Sequence, residues 1–295
     1  MKATVIGGAG RMGRWLVKHF IDLGYNVTIA DINMKSAMAF ANKVGADVAI
    51  TNLEAVENAS LIVISVPIES TVKVINEIAS GLTPSMKLIE IASLKSSILP
   101  FLKKIVKEKR VVAISLHPLF GPGVKSLNKK RIALIPVSDP NIELRNARKL
   151  FPSADIFIVN VDVHDRIMAL TLSLPHFINI AFASLISEED LRLLKKLGGT
   201  TFSLQLIIAE GVMSEDPNLY ASIQMNNVYT RDYLEKLLLK MKELKVAIDN
   251  KNVDAFKRIY NTSKSQLSKD EQFNEAYSRM YRALERLNEF NFQSV

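Results

Sequence analysis

The 295-residue sequence contains no cysteine. The chain can therefore form no disulfide bond, no thiolate metal site and no cysteine nucleophile. Absence of cysteine is compatible with folding in a reducing cytosol. Met1 to Ala3 lead directly into a predicted strand, which leaves no room for a signal peptide. We therefore expect a cytoplasmic protein.

Charged residues are also sparse, at 23% of the sequence against 48% hydrophobic residues. This composition provides enough apolar material for about two folded domains. The net charge of +8 permits nucleic-acid binding, but acidic and basic residues are interleaved, as in Arg231 to Lys245. No basic run alternates with stacking aromatic residues. We expect no nucleic-acid partner, and the positive charge suits an anionic substrate and a pyrophosphate.

Ile167 to Ile186 contains no charged residue and is about long enough to cross a membrane. Pro175, His176 and Asn179 lie near its middle, where hydrocarbon would leave polar groups unpaired. We therefore predict a buried helix of a globular domain and no membrane partner.

Residues 1–162 alternate between short apolar runs and helical stretches, the pattern of βαβ units. Nearly continuous apolar runs are typical of parallel strands covered on both faces. The predicted strands are Ala3–Ile6, Asn26–Ala30, Leu61–Ser65, Lys87–Ile91, Val111–Ser115, Arg131–Pro136 and Asp155–Val159. The sequence therefore predicts an α/β Rossmann-type N-terminal domain.

Residues 163–295 show helical spacing instead and predict an all-α C-terminal domain. One apolar stripe indicates a helix face that packs in the core or in a subunit interface. Its members are Leu234, Leu237, Leu238, Met241, Leu244 and Ile248. Residues 261–295 are too few for a separate regulatory module, and we expect one more helix there.

A glycine-rich loop, Gly7 to Gly13, follows the first predicted strand and contains the G-x-G-x-x-G motif. In such a motif Gly8 allows a tight turn, Gly10 lets the backbone approach a pyrophosphate, and Gly13 permits close helix packing. A plain glycine turn is the alternative. The position after a strand and before a helix favours dinucleotide binding.

Asp31 ends the second predicted strand, where a carboxylate accepts hydrogen bonds from ribose hydroxyls and disfavours a 2′-phosphate. We therefore predict NAD rather than NADP as the cofactor, although Lys35 lies nearby. The predicted cofactor-binding residues are Gly8, Ala9, Gly10, Arg11, Met12, Gly13 and Asp31, followed by Ser65, Val66, Pro67 and Ile68 after the third strand.

Further motifs follow the later strands, and three of the four histidines lie in them. The fourth, His19, belongs to the first helix and is expected to be structural. The motifs are Ala92-Ser93-Leu94-Lys95, His117-Pro118-Leu119-Phe120-Gly121-Pro122, His164-Asp165, Leu174-Pro175-His176-Phe177 and Asp216-Pro217-Asn218-Leu219-Tyr220. With the glycine loop and Ser65 to Ile68, in this order, they resemble the prephenate dehydrogenase family, which includes arogenate dehydrogenases.

The resemblance runs to about Phe256 and implies a homodimer, formed through the helical domain, that oxidises and decarboxylates prephenate or arogenate with NAD. It implies that His117 and Ser93 are catalytic. His117 ends a strand at the same sheet edge as the glycine loop, where an imidazole can take the proton of an alcohol. Ser93 would bind the same hydroxyl or fix the His117 tautomer, or else cap the next helix. His176 is the third predicted catalytic residue, and it either faces substrate or is a buried structural histidine.

Two departures from the family pattern concern the substrate. Ser173 stands where many members have another histidine, and Phe202 to Met213 lacks the arginine that binds a substrate carboxylate. We expect Lys125 to replace it, followed by Lys129 and Arg231.

Helical spacing also predicts one face, with Asp165, Ala169, Ser173 and His176, that forms a pocket wall. Two other functions remain open. The chain could be a β-hydroxyacid-dehydrogenase-like oxidoreductase or an NAD-binding sensor without catalysis.

Overall fold

A computed structural model describes residues 1–291 of the chain. The chain forms two compact units: the first comprises Met1–Leu172 and Asn218–Val228, and the second comprises Ser173–Pro217 and the residues from Tyr229 onward. The chain thus passes from one unit to the other after Leu172, Pro217 and Val228, whereas a single boundary was predicted between residues 162 and 163. Residues 292–295 of the predicted second domain lie outside the described residues.

An eight-stranded sheet forms the centre of the first unit. The strands are β1 Lys2–Ile6, β2 Asn26–Ala30, β3 Asp47–Val48, β4 Leu61–Ile64, β5 Lys87–Glu90, β6 Val112–Pro118, β7 Arg131–Ile135 and β8 Asp155–Ile158. Their order is β3-β2-β1-β4-β5-β6-β7-β8. From β1 the chain first adds β2 and β3 on one side of the sheet and then adds β4 to β8 on the other side. This order confirms the predicted Rossmann-type fold.

One strand pair differs from the predicted parallel sheet, because β6 and β7 are antiparallel. Residues 119–130 connect them without a helix, and a parallel pair requires a crossover connection, usually through a helix. The prediction of an entirely parallel sheet was therefore wrong at this pair. It also missed the two-residue strand β3.

The helices alternate with the strands in the first unit and follow one another in the second. They are α1 Arg11–Asp22, α2 Met34–Val44, α3 Asn52–Val56, α4 Ile68–Ile78, α5 Leu99–Lys109, α6 Pro140–Leu150, α7 Val161–Met168, α8 Leu174–Ile186, α9 Leu191–Leu197, α10 Thr200–Met213, α11 Pro217–Asn226, α12 Thr230–Asp249, α13 Val253–Leu267 and α14 Ala276–Asn291.

The apolar composition of the strands follows from their burial, because apolar clusters cover both faces of the sheet. Val5 and Val63 belong to one buried apolar cluster, whereas Ile62 and Ile64 belong to another. Successive side chains of a strand point to opposite faces, so each strand supplies both clusters. The carboxyl ends of the parallel strands thereby share one rigid edge.

The uncharged helix predicted to be buried is largely exposed within this chain. Val161–Ile186 is one continuous helix of 26 residues, long and apolar enough to cross a membrane by length and composition, and only 17% of its apolar window is buried. On α12, Leu238, Met241 and Ile248 of the predicted stripe are exposed, so within this chain the stripe does not pack in the core, and its packing in a subunit interface stays a prediction. The predicted burial of the uncharged helix was wrong at the level of the single chain.

The predicted pocket wall on this helix stays a prediction. Asp165, Ala169 and Ser173 are each at most 3% exposed. Ala169–Ser173 forms a π-helical turn, which changes the angle between successive residues. A regular helical repeat therefore does not describe this face.

Candidate active site

The glycine loop lies at the carboxyl end of β1 and opens α1. A side-chain carbon at Gly13 would lie 2.0 Å from the carbonyl oxygen of Gly7, so this glycine permits close packing. At Gly10 the nearest atom is the same oxygen at 3.4 Å, an ordinary contact. Gly10 is the exposed N-cap of α1, where backbone N–H groups and the helix dipole favour an anion.

Asp31 lies beside this loop. Its Oδ2 accepts a hydrogen bond from the Ala9 amide at 2.9 Å, and its Oδ1 accepts one from Asn33 at 2.9 Å. Carboxylate oxygens can each accept a further hydrogen bond. Arg14 braces the same loop, since its Nε donates to the Ala9 carbonyl at 2.8 Å. The loop and the carboxylate therefore form one preformed cradle that fits a dinucleotide.

The second predicted cofactor segment adjoins the first. A side-chain carbon at Gly7, whose φ is +80°, would lie 2.3 Å from the Ser65 carbonyl oxygen. The sheet thus brings the two loops together. Among the remaining predicted residues, Ile68 packs in the core, while Arg11 and Pro67 are exposed and Met12 and Val66 are half-buried.

His117 lies near the end of β6 and forms a chain of hydrogen bonds with two other residues. Its Nδ1 lies 2.9 Å from Nε2 of His164, whose Nδ1 lies 2.7 Å from Oδ1 of Asp165. When both rings are neutral, the carboxylate fixes a proton on Nδ1 of His164, and His117 donates from its own Nδ1. This leaves Nε2 of His117 as a proton acceptor.

Asp165 is itself fixed by the segment that follows β5. It accepts hydrogen bonds from the amide of Lys95 and from the amide and hydroxyl of Ser96, at 2.5 to 3.2 Å. Burial acts to raise the pKa of Asp165, but the hydrogen bonds from His164 and Ser96 outweigh it and lower the pKa overall. The carboxylate therefore stays ionised and orients His164.

A fully buried ion pair adjoins the chain of hydrogen bonds that His117, His164 and Asp165 form. Nζ of Lys95 lies 2.7 Å from Oε1 of Glu90 and 2.7 Å from the carbonyl oxygen of Leu116, and both side chains are 0% exposed. Ser115 also donates to Glu90, as does the Ala92 amide. The side chain of Lys95 thus binds β6 at Leu116, which directly precedes His117. Its backbone amide binds Asp165.

The surroundings keep His117 neutral. Burial lowers its pKa well below the usual 6.5, and the positive charge of Lys95 and the neighbouring His164 lower it further. A neutral histidine with an unprotonated Nε2 can act as a general base at neutral pH.

The other predicted residues occupy several positions. Ser93 is half-buried and does not cap the next helix, since the N-cap of α5 is Ile98. His164 makes the Nδ1 contact expected to fix the His117 tautomer, and the substrate contact of Ser93 stays a prediction. His176 lies half-buried in the second unit, and burial lowers its pKa. Lys125 and Lys129 are exposed on the loop 119–130. Arg231 is exposed and lies 3.1 Å from Glu235.

Sequence reasoning missed Glu90 and gave Lys95 no function. One signal was available, because Glu90 directly follows the apolar Leu88 and Ile89 in a strand predicted to be buried, and a buried carboxylate requires a partner. No periodicity pairs Lys95 with Asp165, which lies 70 residues further along the chain.

Two family models together match most of the chain. Residues 20–153 match the family model of the prephenate dehydrogenase nucleotide-binding domain, and residues 160–262 match that of the prephenate dehydrogenase dimerization domain. A structure of prephenate dehydrogenase from Aquifex aeolicus, in complex with hydroxyphenyl propionate and NAD+, has the same fold. Its TM-score is 0.73 at 16% identity, over 92% of this chain and 99% of that one.

Two curated relatives are longer proteins than this chain. A probable arogenate/prephenate dehydrogenase of Methanocaldococcus jannaschii is 28% identical over 262 residues, which are 87% of this chain and 58% of the relative. The T-protein of Haemophilus influenzae is 25% identical over 265 residues, 88% of this chain and 66% of the relative. The chain thus spans less than two thirds of either relative's length.

The buried ion pair gives a test of this site. Lys95→Met leaves the Glu90 carboxylate buried without its cation, and we expect the free energy of unfolding to fall by about 3–5 kcal/mol. The double variant Lys95→Met/Glu90→Gln should recover part of the loss, because it removes the buried charge. Urea unfolding measures both. As a control, Lys240→Met breaks an exposed pair with Glu243 and should change little. An equally small effect of Lys95→Met would contradict the account.

Proposed function

The chain belongs to the prephenate dehydrogenase family, and from this premise we propose that it oxidises and decarboxylates prephenate to 4-hydroxyphenylpyruvate with NAD, a step of tyrosine biosynthesis. The observation that carries the proposal is the buried chain of hydrogen bonds from His117 through His164 to Asp165, because it assigns the proton of His117 to Nδ1 and leaves Nε2 as a proton acceptor. Arogenate is the second candidate substrate, because the name of the Methanocaldococcus jannaschii relative covers both substrates.

In the proposed reaction His117 takes the proton of the hydroxyl group at ring carbon C4 through Nε2. His164 and Asp165 keep the imidazole oriented while it becomes positively charged. When bound, NAD supplies the acceptor for the hydride that leaves C4. The ring carboxylate leaves as carbon dioxide, its bonding electrons complete the aromatic ring, and the oxygen on C4 takes the proton back from His117 to form the phenol of the product.

The residues that would hold NAD are those of the preformed cradle. The open side of Gly10 and the N-terminus of α1 suit a pyrophosphate, and Asp31 suits the adenosine ribose. The match of residues 20–153, which include Asp31, to a nucleotide-binding family model supports a bound dinucleotide, as does the NAD+ in the Aquifex aeolicus structure of the same fold.

The proposal includes a homodimer. Residues 160–262 match a dimerization domain, and α8, α10 and α12 carry exposed apolar side chains that a second copy would cover. Among them are Ile178, Leu185, Ile208, Leu238 and Met241. The long apolar helix would then serve as a subunit interface in a cytoplasmic protein.

Replacing the proposed base tests the function. His117→Asn should lower kcat with prephenate by about 10² or more, while NAD affinity stays nearly unchanged. In the wild type, kcat/KM should fall at low pH as His117 takes a proton. Since burial lowers the pKa of His117, this decline should lie below pH 6.5 and vanish in the variant. A mild loss of kcat would remove His117 as the base.

A second prediction separates cofactor binding from folding. Gly10→Val should abolish NAD binding in calorimetry while the protein stays folded, because the added carbon meets only an ordinary contact in the free protein. Gly13→Ala should instead lower the melting temperature, since its side chain would clash with the Gly7 backbone. Retained NAD binding in folded Gly10→Val would disprove the proposed cradle.

A further inference from the structure

The loop 119–130 follows His117-Pro118 directly and carries the exposed Lys125 and Lys129. Its ends are fixed, since the Leu119 amide donates to the Arg131 carbonyl at 3.0 Å and Leu127 is buried in the core. Its middle contains Gly121-Pro122-Gly123, and the turn there closes with a long bond of 3.4 Å between the Val124 amide and the Gly121 carbonyl. The middle therefore depends on contacts from outside the loop.

Trp15 of α1 provides those contacts. Its Nε1 donates a hydrogen bond to the Val124 carbonyl oxygen at 2.9 Å. Its ring meets Phe120 edge to face, with the centroids 5.4 Å apart. Trp15 thus contacts the loop on both sides of the glycine-proline turn, and Val124 directly precedes Lys125.

The indole is itself held in a stack of parallel rings. Trp15 stacks on His19 at 5.1 Å, and His19 stacks on Phe151 at 5.2 Å. His19 Nε2 also lies 2.7 Å from the Leu150 carbonyl oxygen. Since Phe151 is fully buried, the stack fixes the indole to the core of the first unit. This arrangement accords with the structural function expected of His19.

The same helix begins at the glycine loop, with Gly10 as its N-cap five residues before Trp15. We propose that Trp15 is a positioning residue for the substrate: it holds the loop 119–130 through the Val124 carbonyl so that Lys125 meets a substrate carboxylate. This inference rests on the proposed function. It links the helix that opens the cofactor loop to the loop that binds the substrate.

Trp15→Phe tests the inference, because it keeps an aromatic ring and removes the donor. Loss of one hydrogen bond should raise KM for prephenate about fivefold and leave KM for NAD unchanged. In a Lys125→Ala background, which raises the same KM by about tenfold, Trp15→Phe should have no further effect. Equal effects in both backgrounds would overturn the proposal.

Tryptic cleavage after Lys125, followed by mass spectrometry, tests the anchor without turnover. Trp15→Phe should speed this cleavage about fivefold. Ile105→Ala, a control in the buried cluster of Ile62 and Ile64 and outside the ring stack, should lower stability and leave both the cleavage rate and KM unchanged. Unchanged cleavage in Trp15→Phe, or an equal rise in Ile105→Ala, would overturn the proposal.

Fluorescence of the wild type gives a third readout, because Trp15 is the chain's only tryptophan. Prephenate added without NAD should change its emission, and an unchanged emission at saturating prephenate would count against the proposal. If the wild type oxidises neither prephenate nor arogenate, the proposed function fails. The cleavage experiment still decides whether Trp15 anchors the loop.

Discussion

The candidate site depends on one buried ion pair, Lys95 with Glu90. Removing both charges from water is costly, and such a pair persists only where hydrogen bonds complete its surroundings. Here Ser115 and the Ala92 amide satisfy the carboxylate, and the Leu116 carbonyl takes a second bond from the ammonium group. The pair joins β5 to β6 where these two parallel strands end. It therefore positions the Lys95 backbone, which binds Asp165, and His117, which follows Leu116.

The two halves of the candidate site are built by different means. The cofactor cradle is made of backbone, in which missing side chains at Gly10 and Gly13 create the space and the close packing. The proposed base is made of buried side chains, in which His117 derives its orientation from His164 and its neutrality from burial and Lys95. The first half therefore depends on glycine at these two positions, whereas the second depends on the hydrogen-bond partners of His117.

Features that leave a local pattern in the sequence could be predicted, whereas contacts between distant segments could not. Strands such as Asn26–Ala30 were predicted to the residue because burial on both faces leaves a short, mainly apolar and β-branched run, here with four of its five residues buried. The reversal of β7 was missed because strand direction depends on the connection, and the π-turn at Ala169–Ser173 was missed because a regular repeat was assumed. The contact of Lys95 with Asp165 joins distant segments and leaves no local pattern.

Prephenate turnover tests the central claim most directly. The purified protein is mixed with prephenate and NAD, and NADH absorbance, released carbon dioxide and 4-hydroxyphenylpyruvate are measured together, with arogenate in a parallel reaction. The account predicts that the three products form from prephenate in equal amounts. Formation of NADH only from arogenate would assign the second substrate. Bound NAD without NADH formation from either substrate would contradict the account and indicate a protein that binds the cofactor without catalysis.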